Sequence, residues 1–223
     1  MLWYIYIALI GLNLAAAALR WKQLSPPVRV LSGLMTWVFF IEIARQLSGK
    51  ETNILLTHIN LCTELVFQFA YFCFLLHKDK RLYLYGGAVF FCTALFVTWN
   101  VLPGFFRERN YLDAVFLGVC ITVWCGLFFY ELIQKPLQHS LKSDGNFWAN
   151  CGNILFYPGT LLTFGLSSYL EQVNPELRQS LKPINYVLNL ALYSLYLTAF
   201  CLERRQAPAT EAASAQAAET LLS

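Results

Sequence analysis

Seven stretches of about twenty mostly apolar residues, parted by short polar segments, constrain this chain more than anything else in it. A helix that crosses the hydrocarbon core of a bilayer needs roughly 20 such residues, whereas a soluble helix keeps its apolar positions in a stripe. The stretches fall at 2–19, 29–47, 53–76, 82–102, 112–133, 146–170 and 184–202, the second interrupted near its end by Glu42 and Arg45. Only 13% of the 223 residues are charged, about half the share of a soluble domain. The expected fold is therefore all-α: a polytopic membrane protein, with a seven-transmembrane-helix bundle over residues 1–205. Residues 206–223, "QAPATEAASAQAAETLLS", are rich in Ala, Ser and Thr and read as a disordered cytoplasmic tail.

Basic residues orient such a bundle, because short cytoplasmic loops collect Lys and Arg. With the N-terminus outside, Arg20, Lys22, Arg29, Lys78, Lys80, Arg81, Lys135, Lys142, Arg204 and Arg205 all fall at cytoplasmic ends. Only Lys50, Arg107, Arg109, Arg178 and Lys182 fall in outer loops. The chain is thus expected N-terminus out and C-terminus in, multi-pass, in the cell's inner (cytoplasmic) membrane. The first stretch lacks the basic lead of a signal peptide and has "RWK" after it, which favours a retained anchor. The connections carry turn chemistry: "SPPV" at Ser25–Val28, a Pro-Gly in "PGFFRERN", and Asp144 placed to cap the sixth helix.

Against this oily background Glu64 stands out. An ionisable side chain at mid-bilayer costs about 2.5–3.5 kcal/mol on insertion scales, so it must face the bundle interior. Counted along its helix, Glu64 lies roughly 16 Å from the outer end. Asn60, Glu64, Gln68 and Tyr71 share one face at 100° per residue. The sixth helix carries a second polar face of Asn150, Asn153, Tyr157 and Thr160, with Tyr157 at about the depth of Glu64. The two faces are expected to meet inside the bundle. Pro158 removes a helix hydrogen bond at that depth and, with Gly159 beside it, reads as a hinge. Glu42 and Arg45 are spaced to form an (i, i+3) ion pair. His58 points away from the Glu64 face and reads as an interface residue. Asn and Gln also glue membrane helices together at about 0.6–2 kcal/mol per bond, so Asn60, Gln68, Asn150, Asn153, Asn185 and Asn189 carry that structural reading as well.

Several classes are excluded by what the chain lacks. The seven cysteines lie in apolar runs without CxxC spacing, and no histidine completes a zinc quartet, so neither metal nor cofactor is expected. The last apolar stretch has no lysine for a retinal Schiff base. No GxSxG, HExxH or P-loop pattern occurs, so an enzyme is not expected, and the scattered basic residues do not describe a nucleic-acid surface.

At "FWANCGNILFYPGTLLTFGLSSYL" the chain resembles a group of seven-helix proteins of Bacteroidota, with an FW-x-N/S-x-G-x-x-x-Y-like sixth helix and an acidic residue, here Glu64, in the third. Genes of that group often lie beside sensor histidine kinases, so the resemblance implies a membrane sensor or signalling accessory. The expected function is a sensor or signal relay without its own catalytic domain. It would detect a small ligand, a proton or the membrane state, with the bilayer as its surroundings and a signalling protein such as a histidine kinase as partner. A small proton- or solute-coupled transporter and a structural membrane subunit are the alternatives.

Overall fold

The computed structural model describes residues 2–101, 112–134, 141–173 and 175–203. The 102–111 and 135–140 connections and the tail from 204 onward lie outside the described residues, as do the expectations that fall on them. Among the described residues seven α-helices follow one another: α1 (Leu2–Leu19), α2 (Pro26–Leu47), α3 (Lys50–Leu75), α4 (Arg81–Val101), α5 (Leu112–Gln134), α6 (Gly145–Val173) and α7 (Pro175–Leu202). No strand occurs among the described residues.

Local chemistry sets the helix ends. Pro26 and Pro27 do not hold α2 off until Arg29, as a turn would; they open it, because the first helical positions need no N–H donor and favour proline's fixed φ. Asp144 does cap α6, its Oδ1 accepting the Asn146 N–H at 2.8 Å. The seventh helix starts at Pro175, well ahead of the apolar stretch at 184, and runs through Pro183. Its first turns are polar, and hydropathy does not register a helix that leaves the hydrocarbon. Lys182 thus belongs to α7, but it precedes the apolar span Pro183–Leu202.

Among the described residues five helices are long and apolar enough to cross a membrane: α2, α3, α4, α5 and α7. The apolar part of α1, Tyr4–Leu19, is shorter. α6 falls outside this set because its inward face carries Asn146, Asn150, Asn153, Thr160 and Thr163. The outward surface is apolar, with Phe40, Val66, Phe96, Leu162 and Val187 all exposed. A hydrocarbon solvent selects such a surface; water does not.

Six helices close a ring in the order α1–α2–α3–α5–α6–α7, with α7 returning to α1. α4 stands outside it against α3 and α5. Trp124 of α5 is the largest fully buried side chain, edge-on to Phe72 at 5.7 Å. α4 reaches it only because residue 87 is glycine: a Cβ there would lie 2.9 Å from Trp124 Nε1. Glycines likewise seat α6 on α7, where a Cβ at Gly152 would lie 3.1 Å from Leu192 and one at Gly159 2.8 Å from Leu188. Gly159 therefore serves close packing, and α6 continues as helix through Pro158 to Val173.

One end of the bundle gathers the basic residues and is tied by cross-helix capping. The Arg20 guanidinium donates to the Phe200 and Glu203 carbonyls at 3.0 and 3.1 Å, satisfying orphan acceptors at the end of α7. The Glu203 carboxylate accepts the Gly145 N–H at 2.9 Å, at the start of α6. Burial pushes the Glu203 carboxyl above its ordinary value of 4.5, and the charge of Asp144 adds to this. A raised value means that the folded state holds the proton more firmly than the unfolded chain. The stability this contributes is full below 4.5 and is lost as pH rises through the raised value. Thermal unfolding in detergent should accordingly show Glu203→Gln matching wild type at the acid end and equalling or exceeding it above. A variant that falls further behind wild type as pH rises would contradict this sign.

Candidate functional site

Each turn of α3 projects one polar group inward, and four of them form the row Asn60, Glu64, Gln68 and Tyr71. Gln68 is wholly buried and sits at the centre of the site. Its Nε2 donates to Tyr157 Oη of α6 at 3.1 Å and to Tyr196 Oη of α7 at 3.2 Å. Each phenol passes its own proton outward: Tyr157 donates to Glu64 Oε1, and Tyr196 donates to Asn153 Oδ1 at 2.5 Å. One amide thereby ties three helices together, and the direction of every bond is set by the two ends of the chain. The outer heteroatoms, Gln68 Oε1 and Asn153 Nδ2, have no partner among the described residues.

A second cluster lies one turn toward the basic end. Asn150 Nδ2 donates to Tyr71 Oη at 2.7 Å and to the Asn146 carbonyl at 2.9 Å, while its Oδ1 faces Cys125 Sγ at 3.6 Å. The sequence-derived faces of α3 and α6 thus meet, and Tyr157 does reach Glu64. They meet through long side chains reaching across the ring, since α5 lies between the two helices. Asn60 joins neither cluster, and its Oδ1 has no partner among the described residues. Thr160 bonds within its own helix, to the Tyr157 carbonyl at 2.9 Å. Asn185 links α7 to Thr163 of α6 at 3.0 Å, and Asn189 bonds back to the Asn185 carbonyl.

The Glu42–Arg45 pair forms at 2.8 Å, and Arg45 also donates to Asn53 Oδ1 of α3 at 3.1 Å, so the pair pins α2 to α3. His58 occupies an interface as expected, and a polar one: its Nδ1 lies 2.5 Å from Asp113 Oδ2 of α5, with both side chains buried. Asp113 opens α5, a position where an acidic residue is ordinary, so nothing local marks it as a partner. Tyr196, Tyr193 and Tyr6 were also missed, because tyrosine in an apolar run reads as bulk. Asn13 carried a readable signal as the lone amide in the oily α1. It donates to the Leu9 carbonyl at 2.8 Å and to the Tyr193 carbonyl of α7 at 3.0 Å.

Among the described residues no group of three His, Cys, Asp or Glu side chains is arranged to hold a metal ion. In comparisons with known proteins, no family model, no curated protein and no solved structure matches the chain. Fold and site alone define its class: a helical membrane protein with a buried polar centre joining α3, α6 and α7.

Proposed function

We propose that this is a seven-span membrane sensor or signal relay, N-terminus out, with its basic end in the cytoplasm. The observation that carries the reading is the branched chain Glu64–Tyr157–Gln68–Tyr196–Asn153. Neutralising Glu64 weakens the acceptor that orients the Tyr157 proton and adds a competing O–H donor beside it. Gln68 then loses its fixed alignment, and Tyr196 on α7 feels the change. A hydrogen bond to a charged group contributes about 1.5–3 kcal/mol, enough to shift a two-state equilibrium roughly ten- to a hundredfold. Two turns beyond Tyr196, α7 ends in the Glu203–Gly145 and Arg20 contacts, so a shift of α7 acts on the basic face. A signalling protein such as a histidine kinase would read that face.

The chain is a poor proton carrier, which supports sensing over transport. A carboxyl and two phenols can relay protons, but the amide nitrogen between the phenols donates to both and accepts from neither.

The reading is tested with spin labels at the exposed positions Lys142 and Leu202 on a cysteine-depleted background. Acidification should change the distance between them in wild type. Glu64→Gln should fix one state at every pH, and Tyr157→Phe should weaken the response. A distance that ignores pH in wild type, or responds equally in Glu64→Gln, removes the sensor reading.

A further inference from the structure

The half-buried cations at the basic end are Arg20, Arg29, Lys80 and Arg81. Arg20 donates to Gln23 and to the Phe200 and Glu203 carbonyls, Arg81 donates to the Cys73 carbonyl, and Lys80 lies 3.9 Å from Glu131. Arg29 differs from them. It donates to no oxygen and forms no ion pair among the described residues, and its Nε is buried without an acceptor. Its neighbour is Trp21, in the turn after α1: the guanidinium carbon lies 5.5 Å from the centre of the indole. An aromatic face attracts a cation, but it gives the guanidinium N–H groups no acceptor.

The local backbone does not answer this charge either. Pro26 opens α2, so Arg29 stands about one turn into the helix, near the end where the backbone dipole is positive and disfavours a cation. The first turn of α2 holds no acidic residue. Glu203 approaches Ser25 in the same turn, yet its carboxylate accepts the Gly145 N–H and forms no ion pair with Arg29. The missing countercharge therefore has to come from outside the chain. What lies outside is set by the surface beside Trp21. Ile5, Leu12 and Leu19 follow one another at seven-residue spacing, drift only about 20° per step around α1, and are all exposed. This apolar strip ends two residues before Trp21, itself half exposed, and Lys22 next to it is exposed as well. An indole and basic side chains at the end of an apolar helix mark the membrane–water boundary, where phospholipid phosphates lie.

We propose that Arg29, stacked on Trp21 and assisted by Lys22, holds the phosphate of an anionic phospholipid in the leaflet at the basic end. The indole covers one face of the guanidinium and leaves its in-plane N–H groups to a phosphate, whose two free oxygens match that fork. The site needs no pocket, because the lipid that solvates the helices brings its phosphate to this level. The acyl chains of the bound lipid lie along the strip of Ile5, Leu12 and Leu19. An anionic headgroup is selected over a zwitterionic one because Arg29 and Lys22 are both cations with no carboxylate paired to them, and a choline would bring a third positive charge. This site is independent of the sensor reading.

The test titrates purified full-length protein in a neutral detergent with phosphatidylglycerol or phosphatidylcholine and reads the first bound lipid by native mass spectrometry. Phosphatidylglycerol should bind more tightly, and inorganic phosphate in excess should not displace it. Arg29→Gln should weaken phosphatidylglycerol binding about fivefold, the effect of one basic residue at an anionic membrane surface. Arg29→Lys should recover only part of the loss, since lysine keeps the charge without the fork, and Trp21→Leu should weaken binding as well. Lys78→Gln removes the same charge from an exposed position at the same end and should leave the affinity nearly unchanged. If Arg29→Gln does not fold, Arg29→Lys and Trp21→Leu decide the matter. Equal affinity for the two lipids, or unchanged binding in the Arg29 and Trp21 variants, would overturn the proposal. So would an equal loss in Lys78→Gln, which would reduce the effect to diffuse basic charge, or displacement by inorganic phosphate, which would make the site one for a free anion.

Discussion

Replacing Asp113 with leucine is expected to cost about 3–5 kcal/mol, the range found when one partner of a buried ion pair is removed. His58 and Asp113 retain only 4% and 2% of their side-chain exposure and meet at 2.5 Å between α3 and α5. The single variant takes the carboxylate from opposite Nδ1 and leaves a polar ring in a dry contact. The double variant His58→Leu/Asp113→Leu removes both polar groups, and such replacements are often neutral or stabilising. Unfolding of the detergent-solubilised protein should therefore show the double variant recovering most of the loss. A single variant costing under about 1 kcal/mol, with a double no better, would mean that this pair does not hold α3 to α5.

Gly145→Ala should be nearly as damaging, although it adds one methyl group. The new Cβ would lie 2.8 Å from the Ala199 carbonyl oxygen and press on the Glu203 carboxylate. A backbone carbonyl within a helix cannot swing aside, so the start of α6 must separate from the end of α7. Overpacking costs about 1–3 kcal/mol and a lost hydrogen bond about 0.5–1.5 kcal/mol, giving a loss of about 2–4 kcal/mol. Gly126→Ala is the matched control. Its Cβ meets nothing within 4 Å, and alanine is the better helix former, so no loss is expected. Equal stability of the two variants would show that the α6–α7 approach at Gly145 is not tight.

The helices were legible because a bilayer demands long apolar runs, and α1 falls on the residues its composition indicates. The start of α7 was not, since Pro175–Lys182 is helical without being apolar and hydropathy measures only the latter. Within the site, Glu64, Gln68 and Tyr71 on α3 and Asn150, Asn153 and Tyr157 on α6 could be found because a fixed angular step turns spacing into a face. Tyr196 could not, because its role comes from Gln68 and Asn153, which lie 128 and 43 residues away along the chain. The Asp113–His58 pair is hidden for the same reason, being 55 residues apart. Periodicity reports which residues share a helix face; it does not report which helix that face will meet.

The closure of the ring between α1 and α7 sets the order in which the chain can be completed during synthesis. Asn13 is made with the first helix, yet the α7 carbonyl it donates to is made 180 residues later. At 5–20 residues per second that is a wait of roughly 10–40 s. During that interval Asn13 has the Leu9 carbonyl of its own helix and no neighbour across the gap. Chains interrupted before Tyr193 would carry an open seam along α1, with Asn13 lacking its acceptor on α7.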